Sequence, residues 1–396
     1  MVVSRILQDQ QLLPLLPERE KHIIVEFTLH LLQTYATHKL MGYHLTTLLM
    51  VHAMLPLSSL HTILDRINYH IEHLESIEEC AALSQLIKNI IQHPSEDFQM
   101  KLNATFPRVL STCVKLTSSE NTRMFGFQLI KELIESKNIS SQLLSHIRNL
   151  CLDHLDQPIY HPSITQIFAY STWHASYDEL CSSWSLLCSY IHQCLRHLGI
   201  SKPIDSSYLA LHSSLSAKIT SKSGVSKTIL LENIIQGLFQ IMIKMLNTGN
   251  PNFFISLEIT SLIDILNVLL PYSVEATALN LDTTMITENH SHVSPAAILL
   301  ILPHMKFDCI LLIHALILNY HHACVSCMPT ILRLLSISFS LHQAKHPSLT
   351  DQLLTTLILV ISSFPSLISQ VANPMTLFHS FSKVTIVWRA GRVFDM

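Results

Sequence analysis

Glycine is scarce in this sequence, with 7 in 396 residues, and only 13% of the residues carry charge. Doubly wound sheets and barrels use glycine at tight strand–helix turns and in phosphate-cradling loops, so the shortage excludes most nucleotide-handling folds. Formal net charge is −3 and the isoelectric point lies near 6.8. No Lys/Arg run forms the basic stripe that a direct nucleic-acid binder presents. There is no nucleophile elbow, no His-Glu-x-x-His helix and no Gly-rich phosphate loop, and the chain is read as non-enzymatic with no cofactor and no metal. Residues 1–20 lack the basic start, apolar core and small-residue cleavage site of a signal peptide. Nine cysteines, an odd number with no dense framework, read as reduced thiols of the cytosol or nucleus.

What is abundant is leucine and isoleucine. Hydrophobic residues reach 48% and mean hydropathy is +0.35, which excludes a chain disordered by composition. The most apolar stretch, residues 296–318, carries His304, Lys306, Asp308 and His314. A lysine or aspartate at a bilayer centre costs roughly 2.5–3.5 kcal/mol on an insertion scale, so this run is read as a core helix and no membrane is expected. Residues 353–372 contain Pro365 and lack basic anchors, and are read the same way. The 25 histidines keep the surface polar while leaving it weakly charged.

Helical spacing recurs from residue 22 onward. Leu83, Leu86, Ile87, Ile90 and Ile91 follow the spacing of one buried face, as do Phe127, Ile130, Leu133 and Ile134. Ile23, Phe27 and Leu31 step by four, and Val25, Leu29 and Leu32 fill the neighbouring stripe. Pro94, Pro107, Pro158, Pro203, Pro251 and Pro271 punctuate the runs and read as stops. About fifteen helices with short connections predict an all-α, HEAT/armadillo-like helical-repeat architecture, an α-solenoid whose repeats of about 40–47 residues have diverged. An irregular globular all-α domain is the alternative. The Ser/Lys-rich passage within 201–228 reads as a linker or loop between helical-repeat regions at 1–200 and 229–396. A second polar stretch, 283–294, separates two apolar blocks. Beyond residue 250 only six Lys/Arg and eight Asp/Glu occur, so that half is expected to be well buried or covered by a partner.

Three constellations carry chemical interest. His321, His322, Cys324 and Cys327, with Cys309 and His314 upstream, form the best metal candidate, but no second Cys-x-x-Cys pair completes a zinc set. Core thiols are the favoured reading there. The same holds for the cluster Cys181, Cys188, His192, Cys194 and His197. Leu-x-x-Leu-Leu occurs three times, as Leu12/Leu15/Leu16, Leu45/Leu48/Leu49 and Leu266/Leu269/Leu270. On a helix these leucines make one apolar edge that a partner's groove can take. The core is expected to consume the second and third, and the first, interrupted by Pro14, is the one left to be exposed. Trp173 and Trp184 are candidate aromatic anchors for a partner.

The run AILLILPHMKFDCILLIHALILN (residues 297–319), followed by PTILRLLSISFS, resembles the Rix-one type of pre-rRNA-processing protein, the proline-, glutamic acid- and leucine-rich family. FISLEITSLIDILNVLL and TWHASYDELCSSWSLLCSYIHQCLRHLGI resemble its preceding helix and its Trp-containing helix, and by order of elements the likeness covers about residues 100–370. The resemblance implies a non-enzymatic scaffold of the nucleus, in nucleolus and nucleoplasm. Its implied partners are a WD-repeat protein, another helical-repeat protein and pre-ribosomal particles, with direct nucleic-acid contact left open. Its implied work is pre-rRNA processing and large ribosomal subunit biogenesis, with Leu-x-x-Leu-Leu motifs of the nuclear-receptor coactivator kind. The family's long Pro- and Glu-rich tail has no counterpart here. The ending WRAGRVFDM is abrupt, as a truncated gene product would be. The alternative is a generic HEAT/armadillo-type adaptor in transport, repair or trafficking.

Overall fold

The recurring apolar spacing becomes fifteen α-helices, with no strand, among the described residues. A computed structural model of the chain describes residues 14–33, 38–134, 139–200, 211–248, 259–272, 293, 295–320, 324–342 and 347–364. The architecture is all-α and helical-repeat in kind. The chain divides into two compact units, residues 1–148 with 162–171, and residues 149–161 with 172–396.

The first unit holds α1 (Glu18–Gln33), α2 (Lys39–Val51), α3 (Leu57–Glu72), α4 (Ile77–Ile91), α5 (Glu96–Ser118) and α6 (Arg123–Ile134). Each helix packs on its next-but-one neighbour, α1 on α3 on α5 and α2 on α4 on α6, while α1 with α2 and α5 with α6 form hairpins. Along the second row, Cys80 Sγ donates to Phe125 O across 45 residues, and further on Lys88 pairs with Glu132. Along the first, Lys101 pairs with Asp65, and Thr112 Oγ1 donates to Asn68 Oδ1 across 44 residues. Order is preserved in both rows, so next-but-one helices run parallel, and three of these four contacts span 44 or 45 residues, inside the range of HEAT and armadillo repeats. The Leu83–Ile91 and Phe127–Ile134 faces are the buried ones. Ser76 accepts a hydrogen bond from the Glu79 N–H, and this Ser-x-x-Glu signature opens α4.

The structure settles one stripe and corrects one expectation in this unit. Ile23 and Phe27 do not face the core, since they are 56% and 40% exposed, while α1 buries Ile24, Val25, Thr28, Leu31 and Leu32. Leu31 of the four-step and Val25 and Leu32 of the neighbouring stripe are buried, so the core side of the helix lies toward that neighbouring stripe. Pro107 is no stop, because α5 runs through it to Ser118. Packing against α3 and α6 holds the helix past the missing N–H.

α7 (Ser141–Asp153) and α8 (His161–Trp173) contribute residues to both units. The second unit continues with α9 (Tyr177–His197), α10 (Ser213–Thr220), α11 (Gly224–Thr248), α12 (Ile259–Leu269), α13 (Pro295–Tyr320), α14 (Met328–His342) and α15 (Pro347–Ser363). One row runs α9, α11, α13, α15 and another α9, α12, α14. His314 Nδ1 and Thr356 Oγ1 link α13 to α15 across 42 residues, again a repeat-length step.

The division of the chain differs from the expected one. The compact units part at 148/149 and around 162–171, rather than at 201–228. Residues 201–210 lie outside the described residues, but the following Ser/Lys-rich stretch forms α10 and the start of α11. Lys218 Nζ donates to Asp156 Oδ1 and Asp153 O, both at 2.7 Å, and Asn233 Nδ2 donates to Asp156 O. The polar side chains that resembled a linker are therefore structural tethers. The 283–294 stretch, apart from Val293, lies outside the described residues, as do Pro203, Pro251 and the WRAGRVFDM ending.

Candidate interaction surface

The run that carries the family resemblance is α13. Its interior Pro303 removes the N–H that would bond back to Leu299, and the helix continues beyond it. Ahead of this proline, Ala297, Ile298, Ile301 and Leu302 are buried, whereas Leu299 and Leu300 are 51% and 75% exposed. Beyond it, the helix is mostly buried, with His304 and Leu318 left exposed.

α13 lies alongside α11 in constant register. His304 Nδ1 and Glu232 Oε1 are 2.9 Å apart, and Asn319 Nδ2 donates to Asn247 Oδ1 at 2.9 Å, each pair spanning 72 residues. Two contacts with one offset make the helices parallel and level, so Gly224 and Pro295 open them at the same end. At that end α11 exposes Val225 and Ile229, and α13 exposes Leu299 and Leu300. Four exposed aliphatic side chains thus lie at the same end of the pair, with the Glu232–His304 contact one turn deeper. A cluster of apolar residues beside a polar rim is the usual anatomy of a protein-docking surface.

Deeper still, the lysine that argued against a membrane span finds its partners. Lys306 is 0% exposed and its Nζ donates to Leu270 O at 2.9 Å and Tyr272 O at 2.8 Å. These carbonyls lie just past the end of α12, where a helix leaves acceptors unsatisfied and favours a cation. Burial draws the Lys306 ammonium down to about 8. Burial pushes the Asp308 carboxyl up to about 7, against the pull of His304 and with the Glu232 carboxylate adding to it. Both α11 and α13 are long and apolar enough to cross a membrane, but 61% of each apolar window is buried inside the fold.

The Leu-x-x-Leu-Leu motifs part company. Leu45, Leu48 and Leu49 are 1%, 8% and 0% exposed in α2, and Leu266, Leu269 and Leu270 are each 0% exposed at α12. These six are core residues and present no edge to a partner. Leu12 lies outside the described residues, Leu15 is 79% exposed and Leu16 is half-buried. Trp184 is 0% exposed and is no anchor, and the half-buried Trp173 spends its Nε1–H on Met245 O at 3.0 Å.

Among the described residues no group of three or more His, Cys, Asp or Glu side chains is placed to hold a metal ion. Cys309 and Cys324 are buried, and His321 and His322 lie outside the described residues. Cys188, His192 and Cys194 are core residues of α9, and Cys181 is partly exposed. One catalytic-looking trio does assemble in the second unit. His212 Nδ1 lies 2.8 Å from Asp153 Oδ1 and 3.0 Å from Ser214 Oγ, and Ser214 also meets Asp153. Serine and aspartate meet the same ring nitrogen. A relay needs the carboxylate on one nitrogen and the serine on the other, so this trio does not activate a nucleophile.

No protein-family model and no curated protein matches the chain. A crystal structure of an engineered protein aligns over 89% of this chain and 92% of its own, at 12% identity and a TM-score of 0.26, too low a similarity to carry a conclusion.

Sequence reasoning found the exposed Leu15 but missed Leu299, Leu300, Val225 and Ile229, because an apolar run gives no sign of which residues its neighbours leave uncovered. The available signal was Pro303, which sets the first turns of α13 apart from the rest.

Proposed function

We propose that this chain is a non-enzymatic helical-repeat scaffold that holds protein partners in the nucleus, in pre-rRNA processing and large ribosomal subunit biogenesis. The observation that carries the binding role is the exposed aliphatic cluster Val225, Ile229, Leu299 and Leu300 at the level ends of α11 and α13. The compartment and the pathway rest on the Rix-one resemblance, whose main string is α13 itself. Its partners in that reading are a WD-repeat protein, a second helical-repeat protein and pre-ribosomal particles. A coactivator-like role rests on Leu15 and Leu16 of the first Leu-x-x-Leu-Leu motif.

The experiment is affinity capture of the tagged full-length chain from nuclear extract, with partners read by mass spectrometry and sedimentation compared with pre-ribosomal particles. Wild type and the Leu299→Gln/Leu300→Gln double variant are run side by side. Co-sedimentation with large-subunit precursors, lost in the double variant at unchanged thermal stability, supports the proposal. A wholly cytoplasmic partner set removes the ribosomal reading and leaves a generic adaptor. Retention of every partner by the variant removes the surface.

A further inference from the structure

The segment before α14 brings two thiols into one tight turn. The Cys327 N–H donates to Cys324 O at 3.0 Å, and Cys327 Sγ also lies 3.1 Å from that oxygen. A turn closed from the first to the fourth residue keeps its end Cα atoms within about 7 Å. A disulfide bridges Cα atoms roughly 4.4–6.8 Å apart. Cys327 O then accepts from the Ile331 N–H at 3.0 Å, so Cys327 is the residue on which α14 begins. Unsatisfied N–H groups at a helix start favour a thiolate.

The two thiols are unequal. Cys324 is 0% exposed and Cys327 is partly open to solvent. A hydrogen bond from Cys324 holds the Cys327 thiol below its ordinary range, and the same bond, with burial, pushes Cys324 up. The remaining cysteines lack this arrangement. Cys80, Cys113, Cys151, Cys188, Cys194 and Cys309 are buried, with Cys181 alone partly exposed on α9.

We propose that Cys324 and Cys327 form a dithiol that a hydroperoxide oxidises reversibly to an intrachain disulfide at the start of α14. The Cys327 thiolate attacks the terminal peroxide oxygen. The O–O bond breaks, and the leaving oxygen takes a proton to depart as water or an alcohol. Cys327 is left as a sulfenic acid. The Cys324 sulfur then attacks Cys327 Sγ, forming the S–S bond, and the hydroxyl leaves with the Cys324 proton as water. Two thiols lose two electrons and two protons, and the peroxide gains both. A dithiol reductant reverses the change by exchange. Cys327 is the peroxide-reactive thiol and Cys324 the resolving one, an order set by their exposure. The disulfide fixes the turn that leads into α14, a helix packed on α12 and α15.

The test uses the full-length reduced protein. Timed alkylation with N-ethylmaleimide at neutral pH, read by peptide mass spectrometry, is expected to label Cys327 about tenfold faster than the comparably placed Cys181. Treatment with one equivalent of hydrogen peroxide is expected to leave the tryptic peptide 307–333 two hydrogens lighter, with the link at 324–327 by fragmentation and reversed by dithiothreitol. In Cys324→Ser the reaction is expected to stop at a sulfenic acid that dimedone traps on Cys327. Equal labelling of Cys327 and Cys181 overturns the proposal, and that comparison needs no variant to fold. Retention of Cys324 and Cys327 as free thiols while another cysteine oxidises overturns it as well.

Discussion

The ammonium of Lys306 lies 2.9 Å from the carbonyl oxygen of Leu270 and closes the end of α12 from a position 36 residues downstream. It is one of two buried charges on a single turn of α13, Asp308 being 7% exposed. Their pH dependence follows from their shifts. Lys306 falls from 10.5 to about 8 on folding, so its burial costs stability in full below about pH 8 and less as pH rises toward 10.5. The advantage of wild type over Lys306→Met is therefore expected to grow by on the order of 2 kcal/mol between pH 7.5 and 10. Urea unfolding of both proteins at each pH measures it, and a pH-independent difference contradicts the assignment.

Asp308 has the opposite profile. Its carboxyl rises from 3.8 to about 7, so the penalty of ionising it in the fold is absent below 3.8 and complete above about 7. Asp308→Asn is expected to stabilise the chain at pH 8 and to be neutral at pH 4. Thermal melts at the two values decide the matter.

In the first unit the Tyr43 hydroxyl and His70 Nδ1 lie 3.2 Å apart, both in the core. Burial lowers His70 from 6.5 to about 4, with Lys39 adding to the effect. A neutral histidine of this kind contributes stability that is present above pH 6.5 and lost as pH falls through 4. Burial also lowers His161, His192, His197 and His314. Acid unfolding is expected to begin below pH 6.5, and His70→Phe is expected to weaken its pH dependence. Circular dichroism across that range reads both.

Gly126 sits where α6 crosses α5. A methyl group there meets Cys113 O and Thr117 N at 2.9 Å each, and Thr117 Cγ2 at 2.7 Å. Backbone atoms cannot rotate away, so Gly126→Ala is expected to cost about 1–3 kcal/mol despite alanine's better helix propensity. Chemical denaturation checks this.

The leucine motifs supply a contrast within one sequence pattern. Leu266→Ala is expected to cost roughly 2–5 kcal/mol, while Leu15→Ala leaves the melting temperature unchanged within error. Equal costs at both positions contradict the placement of one in the core and the other in solvent.

The faces at Leu83–Ile91 and Phe127–Ile134 were legible because five or four apolar residues at helical spacing leave little choice of stripe. At Ile23 and Phe27 the helix carries apolar residues on two sides, and only the neighbours α2 and α3 decide which is covered. Pro107 reads as a stop because proline weakens one helix from within, whereas tertiary contacts outside the local window hold it together. Lys306 was legible as incompatible with a bilayer, but its acceptors at Leu270 and Tyr272 depend on a long-range approach. The Glu232–His304 contact and the exposed cluster beside it depend on register between helices 72 residues apart, which local spacing does not encode.

The next-but-one packing of α1 to α6 has a consequence in time. Every helix in that set finds its principal partners within the stretch that ends at Ile134. As the chain leaves the ribosome, these helices bury one another before most of the second unit has been synthesised. Nascent chains arrested with residue 134 clear of the exit tunnel are expected to carry a protease-resistant core, and the histidine, glycine and leucine contacts of that core can form co-translationally, without waiting for the C-terminal half.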